Sequence, residues 1–63
     1  MNELERWNSI ASEIEALIGM VEAEVGAKNF TSTSSRHSLS KIDKKLYEAL
    51  EVANKAADAL SED

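Results

Sequence analysis

The sequence predicts an all-α fold, an antiparallel two-helix hairpin that assembles as a dimeric four-helix bundle. Three observations lead there. Apolar residues recur at alternating steps of three and four in two separate segments, the pattern of a helix with one buried face. The chain has no proline and only two glycines, so little interrupts long helices. A run rich in Ser and Thr separates the two segments, and these residues bond their own backbone in turns.

The first segment places Leu4, Trp7, Ala11, Ile14, Ile18, Val21 and Val25 on one stripe and predicts a helix over about 3–25. Ile10, Leu17 and Met20 widen that stripe on one flank, which suits a globular bundle better than a bare two-stranded coil. Trp7 belongs to the core, with its indole N–H reaching the end of the bundle. Gly26 follows the last periodic residue and is the expected C-cap, because glycine enters the left-handed conformation without a Cβ clash. Gly19 lies inside the helix, where it costs about 1 kcal/mol relative to Ala. That cost suggests a close neighbour.

The second segment repeats the pattern at Leu39, Ile42, Leu46, Ala49, Ala53, Ala56 and Leu60 and predicts a helix over about 39–60. Ser38 and Ser40 stand where an N-cap is wanted. Ser40 with Asp43 resembles a capping box, in which Glu is the commoner partner. Lys41, Lys44 and Lys45 then fall in the first two turns, where the helix dipole favours acids. A local cost of this kind can mark a feature kept for another reason.

The connection over 26–38 is longer than most bundle loops. Phe30 is its only large apolar residue, and it either folds back to plug the end of the bundle or stays exposed as an anchor for a partner. Two helices joined in this way lie antiparallel. The expected layers are Val25 with Ile42, Val21 with Leu46, Ile18 with Ala49, Ile14 with Ala53, Ala11 with Ala56 and Trp7 with Leu60. A slip of one heptad gives a second a/d register. Large residues of the first helix face small ones of the second, so the axes can approach closely.

Such a hairpin should not stand alone. At 63 residues with no cysteine, it lacks both a large core and disulfide staples. A lone His37 cannot build a metal site. A second apolar set stays outside the seam. Ile10, Leu17, Met20 and Val52 fall on one flank; Tyr47, Leu50 and Ala57 fall on the other. Contiguous exposed strips mark interfaces, so Ile10, Leu17, Met20, Tyr47, Leu50 and Val52 are the expected oligomer contacts, and a two-fold homodimer is the simplest closed assembly.

No catalytic constellation emerges. Glu13/Glu15 and Glu22/Glu24 are spaced by two and do not share a helix face. A di-metal bundle needs inward Glu residues and a Glu-x-x-His motif, which the sequence lacks. His37 sits near Ser35 and Ser38 by loop composition alone. There is no glycine-rich phosphate loop. No catalytic residue, cofactor or metal is therefore expected.

The one unusual feature is a basic tip formed by Lys28, Arg36, His37, Lys41, Lys44 and Lys45. It is either a solubilising end whose lysines pair with Glu22 and Glu24, or a contact for phosphate or an acidic partner. A net charge of −5 argues against general nucleic-acid binding, which relies on neutralising phosphates. Carboxylate mimicry of nucleic acid is weakened by the seven bases.

The function expected is that of a small non-enzymatic regulator or adaptor acting through protein–protein contacts as a homo-oligomer. The alternative is a subunit or chaperone-like partner in a hetero-complex. A nucleic-acid-binding module using the tip is less favoured. No stretch approaches the ~20 apolar residues of a membrane span. The N-terminal MNELERW has no apolar core of a signal peptide, and Met1 reads as the start of a whole small gene product. The lack of cysteine is compatible with a reducing cytoplasm, the expected location.

Overall fold

The computed structural model describes residues 2–61, which form two helices, α1 (Glu3–Ala27) and α2 (Thr33–Ser61), packed as a hairpin. The shape is a rod of 48 × 17 × 12 Å with a radius of gyration of 14.5 Å. A compact domain of this length would have a radius near ~11 Å. The hairpin thus has a seam and no enclosed core.

The ends of the helices follow from local chemistry. Asn2 caps α1, its Oδ1 accepting the N–H of Glu5 at 2.8 Å. Glu3 and Glu5 occupy the first turn, where the dipole favours them. At the other end Lys28, not Gly26, takes the left-handed conformation (φ 56°, ψ 36°) and donates its N–H to the Val25 carbonyl. Gly26 remains helical. The helix overruns the expected stop because Ala27 is a strong helix former.

The start of α2 also differs from expectation. It begins at Thr33, and the connection shrinks to residues 28–32. Ser32 does the capping expected of Ser38 or Ser40: its Oγ accepts the N–H of Ser35 at 3.1 Å, and its carbonyl accepts the N–H of Arg36. Ser and Thr are neutral or mildly unfavourable inside a helix but strong at its cap, so one Ser takes the cap and the rest extend the helix. Lys41, Lys44 and Lys45 then lie two or more turns inside α2. The expected conflict with the dipole does not arise for them.

In α1 the inward positions are those expected from Leu4 to Val21, with Ala11 and Ile18 buried and Leu4, Trp7, Ile14 and Val21 half-buried. Val25 is more than half exposed. In α2 the seam is turned by one position. Leu39, Asp43, Leu46, Leu50, Ala53 and Ala57 face inward, while Ile42 and Ala49 are exposed. Both sets follow three–four spacing and share Leu39, Leu46 and Ala53. The observed one brings Leu50 inside in place of Ala49, a gain of roughly 2 kcal/mol for the extra carbons if fully buried. It also brings Asp43 inside in place of Ile42. Leu50 and Ala57, expected on an outer flank, are therefore seam residues.

Gly19 has no close neighbour; a Cβ there would meet nothing within 4 Å. Its cost to the helix is not offset by close packing. No described helix is long and apolar enough to cross a membrane.

Candidate functional site

One contact fixes how the faces of the hairpin are composed. The Tyr47 hydroxyl donates to Glu22 Oε2 at 2.9 Å, across the seam. This places Val21 at the level of Leu46, and of the two heptad registers it selects the one pairing those layers. It also pins Glu22 and Tyr47 to the same broad face. At 100° per residue Glu22 lies about 50°, and Tyr47 about 80°, to one side of its own helix's seam line.

Ile10 and Leu17 lie about 80° to the other side of the α1 seam, and Ile42, Ala49 and Ala56 lie likewise on α2. These residues therefore share the opposite face, and Met20 and Val52 extend it outward. Ala56 is half-buried, but the large residues are open to solvent: Ile10 is 44%, Leu17 45%, Ile42 47%, Met20 62% and Val52 64% exposed. By contrast, among the described residues only Ala11, Ile18, Ala53 and Ala57 are buried apolar residues. The hairpin exposes more large apolar side chains than it encloses.

Of the six expected contact residues, Ile10, Leu17, Met20 and Val52 thus lie together. Leu50 is half-buried in the seam. Tyr47 is half exposed but sits on the polar face, tied to Glu22. Ile42 joins the apolar face, a position the sequence reading assigned to the seam. Its signal was present as the second three–four pattern of α2.

The polar face carries the one cluster that pattern reading missed. Asp43 stands one turn before Tyr47 on α2, and its carboxyl is held against that of Glu22. One oxygen, Oδ1, is buried without a hydrogen-bond partner. Burial pushes the Asp43 carboxyl above its ordinary value of 3.8; the Glu22 charge and a hydrogen bond to Glu22 push it the same way. The hydrogen bond to Glu22 is also the main cause that raises the Tyr47 hydroxyl, with burial and the two carboxylates adding to it. The spacing of Asp43 and Tyr47 at i, i+4 was the available signal.

Among the described residues the basic tip does not pair with Glu22 and Glu24. Glu22 bonds to Tyr47, and Glu24 accepts from Asn29 Nδ2 at 2.9 Å. Among the described residues the ion pairs are Lys45–Glu48 at 3.9 Å and Lys55–Glu51 at 3.1 Å, both exposed. An open cleft of about 550 Å³ lies at the tip. Val25, Phe30 and Leu39 form its apolar wall, and Lys28 and Arg36 reach its rim. Phe30 is 41% exposed, partly folded back and partly open. His37, Lys41, Lys44 and Lys45 do not line this cleft. Among the described residues no group of three or more His, Cys, Asp or Glu side chains could hold a metal ion.

No family model, curated protein or solved structure matches this chain.

Proposed function

We propose that the chain is a non-enzymatic regulator or adaptor that works through protein–protein contacts, as a homodimer in which two hairpins close into a four-helix bundle. The observation that carries this reading is the contiguous apolar face of Ile10, Leu17, Met20, Ile42 and Val52 on a hairpin with so small a core. Area supports it. A compact monomer of 6.9 kDa exposes about 4000 Å², whereas this hairpin exposes 4840 Å². The excess, roughly 800 Å², is what each partner gives up in an interface of standard size. The turn of α2 supports it too. Exposing Ile42 is costly in an isolated hairpin, and that cost is recovered once the face is covered.

Size-exclusion chromatography with light scattering tests this, paired with thermal melts over a hundredfold range of concentration. The expected result is a dimer whose melting temperature rises with concentration, by mass action. A monomer with a sharp, concentration-independent melt overturns the homodimer and leaves the face to a different protein.

A further inference from the structure

We infer that the two hairpins of the dimer run antiparallel, so that the basic tip of each lies beside the acidic open end of the other. This inference rests on the homodimer proposed above and adds the geometry of its interface.

The argument starts from where the hairpin places its charges. Antiparallel packing gathers Lys28, Arg36, Lys41, Lys44 and Lys45 at the tip, against Glu22, Glu24 and Asp43. The open end, among the described residues, carries seven acids against Arg6 and Lys55. The rod of 48 Å is therefore a charge dipole, positive at the tip and strongly negative at the open end. The separation of these ends is several times the ~8 Å screening length at physiological ionic strength, so each end acts on what lies next to it.

Two copies that meet through the same face are related by a two-fold axis lying in the plane of contact. Only two arrangements follow. An axis along the rod sets tip beside tip and open end beside open end, and packs α1 against α2 of the other copy. An axis across the rod sets tip beside open end, and packs α1 against α1. The first juxtaposes like charge at both ends; the second juxtaposes opposite charge at both. Charge complementarity of this kind fixes orientation and register.

The apolar face permits an axis across the rod as fully as one along it, so charge alone separates the two. In the register set by Glu22 and Tyr47, its residues run from the level of Ile10 to the level of Ile42, which lies beside Val25. Leu17 and Ala49 sit at the centre. An axis through that centre brings Ile10 of one copy to the level of Ile42 of the other and Met20 to the level of Val52, so no part of the face is left uncovered.

The chain has no cysteine among the described residues and none in the sequence, so introduced thiols report one position each. In the Ser34→Cys variant a spin label sits at the tip, on the exposed side of α2. Pulsed dipolar spectroscopy then reads the tip-to-tip distance in the dimer. The antiparallel arrangement predicts about 45 Å or more, from ~1.5 Å of rise per residue. The parallel arrangement predicts about 25 Å or less, the width of two packed helices. A second, independent reading uses Leu17→Cys. With α1 against α1 the two thiols meet near the axis and oxidise to a covalent dimer. With α1 against α2 they are too far apart, and only a mixture of Leu17→Cys and Ala49→Cys chains cross-links. A long Ser34 distance with Leu17→Cys self-linking carries the inference. A dimer with a short distance, cross-linked only in the mixture, overturns the orientation and leaves the homodimer standing. A monomer by light scattering overturns both.

Discussion

The two broad faces of the hairpin are built from the same two helices yet differ in kind. One presents Ile10, Leu17, Met20, Ile42 and Val52 to solvent. The other presents Glu15, Glu22, Tyr47, Glu51 and Asn54, stitched across the seam by the Tyr47–Glu22 bond. The polar face finds its partners within the chain or in water. The apolar face finds none in the chain, and its exposure is a standing cost of the isolated hairpin. The comparison teaches that the seam holds the fold while one face, and not both, leaves large apolar side chains without partners in the chain.

The largest expected effect separates the two faces. Leu17→Glu places an unpaired charge at the centre of the proposed dimer contact. Breaking desolvation balance in this way costs about 3–5 kcal/mol, a loss of dimer affinity of roughly a hundredfold or more. Asn54→Glu, on the polar face, should leave affinity nearly unchanged. Sedimentation equilibrium of both variants checks the contrast. Equal weakening by the two would show that the faces are not functionally distinct.

Next comes the seam. Ile18 is 6% exposed and is the largest of the four buried residues. Ile18→Ala should destabilise the hairpin by about 2–5 kcal/mol, the range for truncating a buried aliphatic side chain. Denaturant titration, followed by helical circular dichroism, reads this directly. The loss should appear at every protein concentration, whereas the effect of Leu17→Glu should depend on concentration.

A smaller gain is available on the polar face. A Cβ at Gly19 meets nothing within 4 Å, and Gly19 is helical. Gly19→Ala should therefore stabilise the hairpin by about 1 kcal/mol, or roughly 4–8 °C in melting temperature for a domain of this size. Its dimer affinity should match the parent's. A fall in stability would mean that the small side chain is needed by a neighbour in the assembled form.

How much of this was legible depends on the element. The α1 stripe from Leu4 to Val21 competes with a second one through Trp7, Ile10, Ile14, Leu17 and Val21, but the longer stripe wins and the structure places it as read. In α2 two stripes compete, one through Ile42 and Ala49 and one through Asp43 and Leu50, and apolar count alone favours the wrong one. What decides is the size of Leu50 and the Tyr47–Glu22 bond that fixes the turn of α2, a contact between residues far apart in sequence. The cap at Ser32 was hidden because five other Ser and Thr residues between Thr31 and Ser38 offer the same chemistry. Lys28 in the left-handed region was hidden because glycine two residues earlier looked the better stop. The apolar face was readable as an excess of large residues beside the α1 stripe. On α2 Val52 was readable in the same way, while the membership of Ile42 required the turn of that helix.

The smallest expected effect concerns Asp43, where the seam meets the polar face. Its folded carboxyl titrates above the ordinary value of 3.8, through burial first and the Glu22 carboxylate second. A folded value above the unfolded one means that folding favours the protonated form. The associated stability is fully present below the unfolded value and is lost as pH rises through the raised one. At neutral pH the hairpin therefore carries a charged Asp43 beside Glu22 at a cost. The effect is modest because the side chain is only half-buried and solvent screens what it reaches. Asp43→Asn keeps the shape and removes the charge. Its stability relative to the parent should grow from about pH 4 upward and level off once the parent's Asp43 is ionised. Tyr47→Phe is the control: it removes the donor to Glu22 but leaves Asp43 to titrate, so its dependence on acid should keep the parent's direction. Urea unfolding of the three proteins between pH 3 and pH 7, at one protein concentration, makes the measurement. A difference between Asp43→Asn and the parent that stays constant over that range would show that Asp43 is not strained by the seam, and that the two faces meet there without electrostatic cost.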